Sequence, residues 1–275
     1  MIIDFHSHIF PDKIASSTIS ALESKSNGKA YTDGTVNGLI KSITENNVDI
    51  SITLPVLTKP TQFDSVTRFV LEVNDKFLSS KHRIISFAGM HPRCEDIYNK
   101  MKYLKENGIK GVKIHPDYQF TYIDDPGYIE IINCAKELDM IVVTHSGIDD
   151  GYIDNPIMCP PERVLKVIKE TKWNKLVLGH YGAHKQWGQV LDMIAGEDVY
   201  FDTAFTFYKI EQELFKKILY KHGVDKVLFA TDSPWSDLGR DIKVLKSYNL
   251  NSEDLEKILY KNACKLLNIK VNNEY

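Results

Sequence analysis

Eight short apolar, β-branched runs recur along the chain, each ended by a polar residue or a glycine: residues 2–8, 48–54, 83–89, 110–115, 140–145, 175–180, 198–203 and 226–232. Most are nearly continuous in hydrophobic character, the pattern of parallel strands covered on both faces. Between them, apolar residues fall at helical spacing. Val36, Leu39, Ile40 and Ile43 make one stripe, and Val66, Phe69, Val70, Val73 and Phe77 the next. Pro126 and Pro161 stand where a first helical turn accepts proline, opening helices after the fourth and fifth strands, and a last helix is predicted over roughly 253–267.

Eight strands alternating with helices predict a single (β/α)8 TIM barrel, an α/β fold, as one domain over residues 1–275. A doubly wound open sheet is the main competitor. It would carry a glycine-rich turn after its first strand, where this chain has histidines, and no GxGxxG, P-loop or GxSxG string occurs. The segment after the first strand, including 24–34, and residues 146–160 after the fifth are the longest connections and candidate lids.

Composition narrows the function classes. A net charge of -3 without a lysine or arginine block argues against a nucleic-acid surface. Cys94, Cys134, Cys159 and Cys264 form no CxxC pair, which suggests neither a thiolate zinc site nor a redox motif. Scattered thiols, no leader-like segment and no apolar run of membrane-spanning length lead us to expect a soluble cytoplasmic protein. A small-molecule substrate is expected, without nucleic acid or membrane partners, and a homo-oligomer is compatible with the sequence.

The polar residues decide the chemistry. Six of the nine histidines, His6, His8, His91, His115, His145 and His180, lie at or just past the C-terminal end of a predicted strand. In a barrel all these ends open on one face. His82 and His222 precede strands and belong to the opposite face, while His184 is unassigned by pattern alone. The eighth strand ends in Ala230-Thr231-Asp232, which adds a carboxylate to the same rim; Asp232 alone could also be a helix cap. His6 and His8, two apart on a strand, share a face and can reach one ion. Imidazoles with a carboxylate suit zinc, with manganese, cobalt or iron as substitutes, and disfavour an all-oxygen magnesium or calcium site.

The Asp4-Phe5-His6-Ser7-His8 start, the histidines closing the fifth and sixth strands (VVTHSG, VLGHYG) and the aspartate closing the eighth (FATDSPW) resemble the amidohydrolase superfamily. They are most similar to its amidohydrolase-related branch of smaller TIM-barrel metal-dependent hydrolases and decarboxylases. The resemblance implies that His6, His8 and His145 bind a metal together with Asp232. His180 matches the position that activates or polarises in one-metal members and binds a second ion in two-metal members. His180 and Asp232 are thus the expected catalytic pair. Lys113 falls where two-metal relatives place a carboxylated lysine bridging the ions. The alternative is an ammonium that binds substrate or pairs with Asp232, and one ion, zinc first, is the expectation.

His115, on the same strand face as Lys113, and Arg93, just past the third strand, are expected to face substrate, Arg93 by forking onto a carboxylate. Phe10, Tyr118, Tyr152, Tyr181, Trp187 and Trp235 are aromatic candidates for the rim. The leading expectation is hydrolysis of an amide, lactone or ester by a metal-activated water. Non-oxidative decarboxylation of a small unsaturated or aromatic acid is the runner-up, and a non-catalytic metal-binding barrel the third reading.

Overall fold

In the computed structural model, which describes residues 1–270, every one of these apolar runs forms parallel β-structure. The last five residues of the expected domain, 271–275, lie outside the described residues. The strands are β1 (Ile3–Ser7), β2 (Ile50–Thr53), β3 (Arg83–Ser86), β4 (Ala88–Gly89), β5 (Gly111–Ile114), β6 (Ile141–Thr144), β7 (Leu176–Leu178), β8 (Tyr200–Asp202) and β9 (Val227–Leu228). The expected strand 83–89 is therefore divided at Phe87. Its ring packs edge-on to Phe5 and fills the space over Gly111, where a Cβ would lie 2.5 Å from the ring. The chain turns there from pairing with β2 to pairing with β5.

Strands β1–β3 and β4–β9 each pair in chain order, in parallel. Main-chain hydrogen bonds join the remaining ends, from Phe5 N–H to Phe229 O (2.9 Å) and from Asp232 N–H to His6 O (2.8 Å). All strands therefore point one way around a ring, and their C-terminal ends share one mouth.

The helices are α1 (Asp12–Ser26), α2 (Val36–Glu45), α3 (Phe63–Phe77), α4 (Ile97–Glu106), α5 (Pro126–Glu137), α6 (Pro161–Thr171), α7 (Trp187–Gln189), α8 (Gln212–His222), α9 (Leu238–Ser247), α10 (Ser252–Glu256) and α11 (Asn262–Leu267). Prolines 126 and 161 sit at first turns as expected, the former behind Asp125, whose carboxylate accepts from Gly127 N–H. The expected last helix runs from α10 to α11 through a π turn at Lys257–Lys261. Helix α1 occupies much of the connection read as a loop. It buries only Ala15 and Ile19, so its apolar stripe is too thin to stand out in the sequence. Among the described residues no helix is long and apolar enough to cross a membrane.

Period-2 alternation sorts the strand residues. Val112 and Ile114 of β5 join the large cluster that includes Ile131, Ile132 and Ala135 of α5, which leaves Lys113 on the opposite face. Ile141 and Val143 of β6 belong to a second cluster with Ile50, Ile52 and Val177, and His145 continues that face at the mouth.

Candidate active site

Strand β1 pairs irregularly with β2 between Asp4 and Ser7, and His6 sits in that irregularity, fully buried. Its Nδ1 lies 2.8 Å from Asp202 Oδ2 at the end of β8. Burial, reinforced by the charge of Lys113, holds the His6 imidazole well below its ordinary pKa, so the ring is neutral. A neutral ring that donates from Nδ1 to a carboxylate has a bare Nε2. His8 turns its Nδ1 to the Leu54 carbonyl at 2.8 Å, which directs its Nε2 into the mouth. Both Nε2 atoms converge on Asp232 Oδ1, at 3.3 Å for His6 and 3.0 Å for His8.

Asp232 has a left-handed backbone (φ 70°), as do His180 (φ 58°) and Tyr181 (φ 59°), and such conformations in non-glycine residues cost about 1 kcal/mol or more each. Burial pushes the Asp232 carboxyl up, but the His8 contact and the potential of the surrounding imidazoles outweigh it and hold the pKa at about 2. Both ring nitrogens thus point at one carboxylate oxygen, an arrangement that a cation among them would satisfy. The donor set, two imidazole nitrogens and one carboxylate on rigid strand ends, fits a divalent metal held by three protein ligands with further positions open.

Lys113, 1% exposed, donates from Nζ to His6 Nε2 at 3.1 Å. Burial pushes its ammonium down to about pKa 8 against the pull of Asp202 and Asp232. His180 donates from Nδ1 to the Ala204 carbonyl (3.0 Å), which leaves its Nε2 bare, and its ring centroid lies 5.4 Å from that of His6. Asp202, absent from the expected set, organises both histidines: Oδ2 meets His6, and Oδ1 accepts from the main-chain N–H groups of His180 and Ala204, each at 3.0 Å. Its place at the end of an apolar strand run was the available signal.

His145 does not stand with the His6, His8 and Asp232 atoms that converge here. It falls in a second group with His115 and Asp149. The His115 and His145 rings stack at 4.4 Å, and Tyr118 covers the His115 ring at 4.0 Å. His115 Nε2 lies 3.5 Å from Asp149 Oδ2, and His145 Nε2 lies 3.8 Å from Asp117 Oδ2. Burial pushes Asp117 up to about 7 and Asp149 up to about 6. His184 also enters the mouth, its ring 5.9 Å from that of His180 and its Nε2 3.7 Å from Asp150 Oδ2. Gly147 makes this approach available, since a Cβ there would lie 2.2 Å from His184 N.

Arg93 departs from expectation. Its fork is closed on Asp125, with two contacts of 2.8 Å, at an exposed position, so the carboxylate it binds is the protein's own. Tyr181 is core rather than rim, stacked on Phe215 and donating to the Phe215 carbonyl. Tyr118 and Tyr152 do line the mouth, and Lys25 at the end of α1 lies 3.1 Å from the Tyr152 ring centre, bringing together the two segments expected as lids. His82 and His222 bind main-chain carbonyls of Val48 and Val199, away from the mouth.

Comparisons with known proteins agree with this architecture. The chain is similar over 98% of its length to 99% of the 5-carboxyvanillate decarboxylase of Sphingomonas paucimobilis (TM-score 0.69, 15% identity). A dihydroxybenzoic acid decarboxylase of Polaromonas with bound manganese and the inhibitor 2-nitroresorcinol matches with 98% of each chain covered (TM-score 0.70, 15% identity). A protein of Acinetobacter baumannii described as a probable 2-pyrone-4,6-dicarboxylic acid hydrolase matches over 97% of this chain and 99% of its own (TM-score 0.67, 16% identity). No curated protein matches the chain. The family model described as Amidohydrolase matches residues 56–269. With that span, and a barrel whose mouth gathers histidines and an aspartate that could hold a metal ion, the chain belongs to the amidohydrolase family.

Proposed function

We propose that this protein is a metal-dependent decarboxylase of a small aromatic or unsaturated carboxylic acid, with residues 1–275 forming one catalytic domain. His6, His8 and Asp232 would hold the ion together with His145, whose buried Nε2 has no hydrogen-bond partner, and manganese or zinc suits that donor set. The observation that carries the reading is the buried ammonium of Lys113, 3.1 Å from the ligating nitrogen of His6. A buried positive charge at that position supports the seating of a substrate carboxylate beside the ion. The likeness to decarboxylases of 5-carboxyvanillate and dihydroxybenzoate supports the same chemistry over hydrolysis, and it replaces the expected order of the two readings.

A bound divalent ion supplies Lewis acidity that holds and polarises an anionic oxygen of the substrate. The chain's own groups do the rest. Lys113 pairs with the carboxylate and, with the Tyr118 ring, fixes its orientation. His180 Nε2, bare and buried, takes a proton from an acidic substituent such as a phenol. The ring carbon that bears the carboxylate then takes the proton back from His180, and the C–C bond breaks with its electrons restoring the aromatic ring. CO2 leaves and the phenolate regains a proton from solvent, so one proton is consumed per turnover.

Hydrolysis remains as a second reading on one observation, the same bare His180 Nε2, which could instead take a proton from water. Metal-reconstituted protein incubated with a panel of hydroxybenzoates, unsaturated acids, lactones and amides separates the two. The proposal expects CO2 from at least one acid. Acid release from a lactone or amide, with no CO2 from any panel member, would overturn it.

A further inference from the structure

We propose that His184 is a specificity-determining residue that binds a substrate hydroxyl, so that the preferred acid carries a second ring hydroxyl beside the one that meets His180, a reading that rests on the proposed reaction for where the substrate lies. The family resemblance leaves His184 without a role. It is 3% exposed, and neither of its ring nitrogens has a hydrogen-bond partner in the protein. Buried polar atoms left in that state cost stability, and an imidazole with both nitrogens unpaired calls for a ligand. The ring stands 5.9 Å from that of His180 at an interplanar angle of 70°, near enough for two substituents of one small ring to meet the two histidines.

The residue is held in place from several sides. Its main-chain N–H donates to the Ser146 carbonyl (2.8 Å), its own carbonyl accepts from Ile148 N–H (3.1 Å), and Gly147 lies so close to this main chain that no Cβ would fit there. Trp187 flanks the ring edge-on at 5.6 Å, and Phe205 flanks it at the same distance. The indole N–H of Trp187 is already spent on the His180 carbonyl (3.1 Å). Asp150 sets the polarity. Lys185 pairs with its Oδ1, which leaves Oδ2 facing His184 Nε2 at 3.7 Å, too long for a good hydrogen bond. The facing His184 ring and the Lys185 ammonium hold the Asp150 carboxyl well below its usual range, so this oxygen can only accept. The proton of a neutral His184 ring therefore lies on Nε2, and Nδ1 keeps a lone pair with no donor. A hydroxyl supplies that donor, and a second ionised carboxylate does not.

The test reads binding rather than turnover. Mn2+-loaded full-length protein is titrated calorimetrically with salicylate and with each isomer that adds one further ring hydroxyl. At least one dihydroxy isomer is expected to bind about tenfold tighter than salicylate, since a site built around a hydroxyl penalises the analogue that lacks it. His184→Leu should bring that ratio to about twofold or less, whereas His184→Asn, which keeps an acceptor near the Nδ1 position, should retain part of it. Melting curves establish that each variant is folded. A crystal of the wild type with the best-bound isomer gives the answer without a variant: a substrate hydroxyl on His184 Nδ1 is expected, and a water there instead would overturn the inference. It is equally overturned by a ratio unchanged in His184→Leu, by equal affinities for all the acids, or by no binding of any. A His184-dependent preference without CO2 release refutes the proposed reaction alone, and CO2 release without that preference refutes the hydroxyl subsite alone.

Discussion

Replacing Asp202 by asparagine should disable the site without touching a single proposed ligand. The carboxylate accepts two main-chain N–H bonds through Oδ1, from His180 and Ala204, and one from His6 Nδ1 through Oδ2. The asparagine amide must keep its oxygen toward the two N–H groups, which turns its NH2 toward His6. His6 Nδ1 then becomes an acceptor, the ring proton moves to Nε2, and the lone pair that would bind the ion is lost. Removing such an orienting partner weakens metal binding by about 10- to 100-fold, or about 1.4 to 2.7 kcal/mol. Chelator competition with Mn2+ measures this directly, and the tautomer change is visible in the nitrogen chemical shifts of His6. A folded Asp202→Asn protein that binds Mn2+ within about twofold of the wild type would refute the reasoning.

Lys113→Met separates a substrate-binding ammonium from a bridging ligand. It should keep its metal, because Nζ competes for His6 Nε2, while kcat/KM falls by roughly 30-fold or more, about 2 kcal/mol; loss of metal would favour the bridging role. Gln119 links Leu57 and Met90 carbonyls (2.7 Å each), the His115 N–H (3.2 Å) and the Tyr128 hydroxyl (2.6 Å). Gln119→Ala leaves several buried groups unpaired and should cost about 3 kcal/mol in urea unfolding, with a change under about 1 kcal/mol counting against that network. Asp241, buried with Oδ1 unpaired, is pushed up to about 8 by burial. Its contribution to stability is therefore complete below pH 4 and lost as pH rises through 8, at about 1.4 kcal/mol per pH unit. Asp241→Asn should flatten the fall in Tm between pH 6 and 8, and an unchanged slope would contradict this.

The strand ends were legible because a parallel strand covered on both faces has no reason to carry an imidazole or carboxylate except at its mouth. That logic placed His6, His8, His91, His115, His145, His180 and Asp232 on one rim, and the fold joins all but His91, whose Nδ1 accepts from Arg93 N–H, in contacts with one another. It could not divide them into two groups, since the division depends on which ring edge each histidine presents. His8 and His180 turn Nδ1 to a carbonyl and His6 turns it to Asp202, whereas His115 Nδ1 accepts from Tyr118 N–H. Those partners are up to 196 residues away in sequence. Asp202 was hidden in plain sight as the last residue of an apolar run, and Asp117 and Asp149 lay in loops where aspartates are ordinary turn residues. Arg93 misled for a related reason: its partner Asp125 is 32 residues downstream, at the cap of α5. The break at Phe87 follows from a ring filling the space above Gly111, a pairing that no local pattern reveals.

The central claim, that a metal held by His6, His8 and Asp232 drives release of CO2 from an aromatic or unsaturated acid, is tested by one isotope measurement. Metal-stripped and Mn2+-reloaded protein are each given carboxyl-13C acids from the panel, and labelled CO2 is followed by mass spectrometry. The account predicts labelled CO2 from the reloaded wild type and none above background from the stripped protein or from reloaded His8→Ala. Equal release with and without metal, or no release from any acid by fully loaded enzyme, would contradict it.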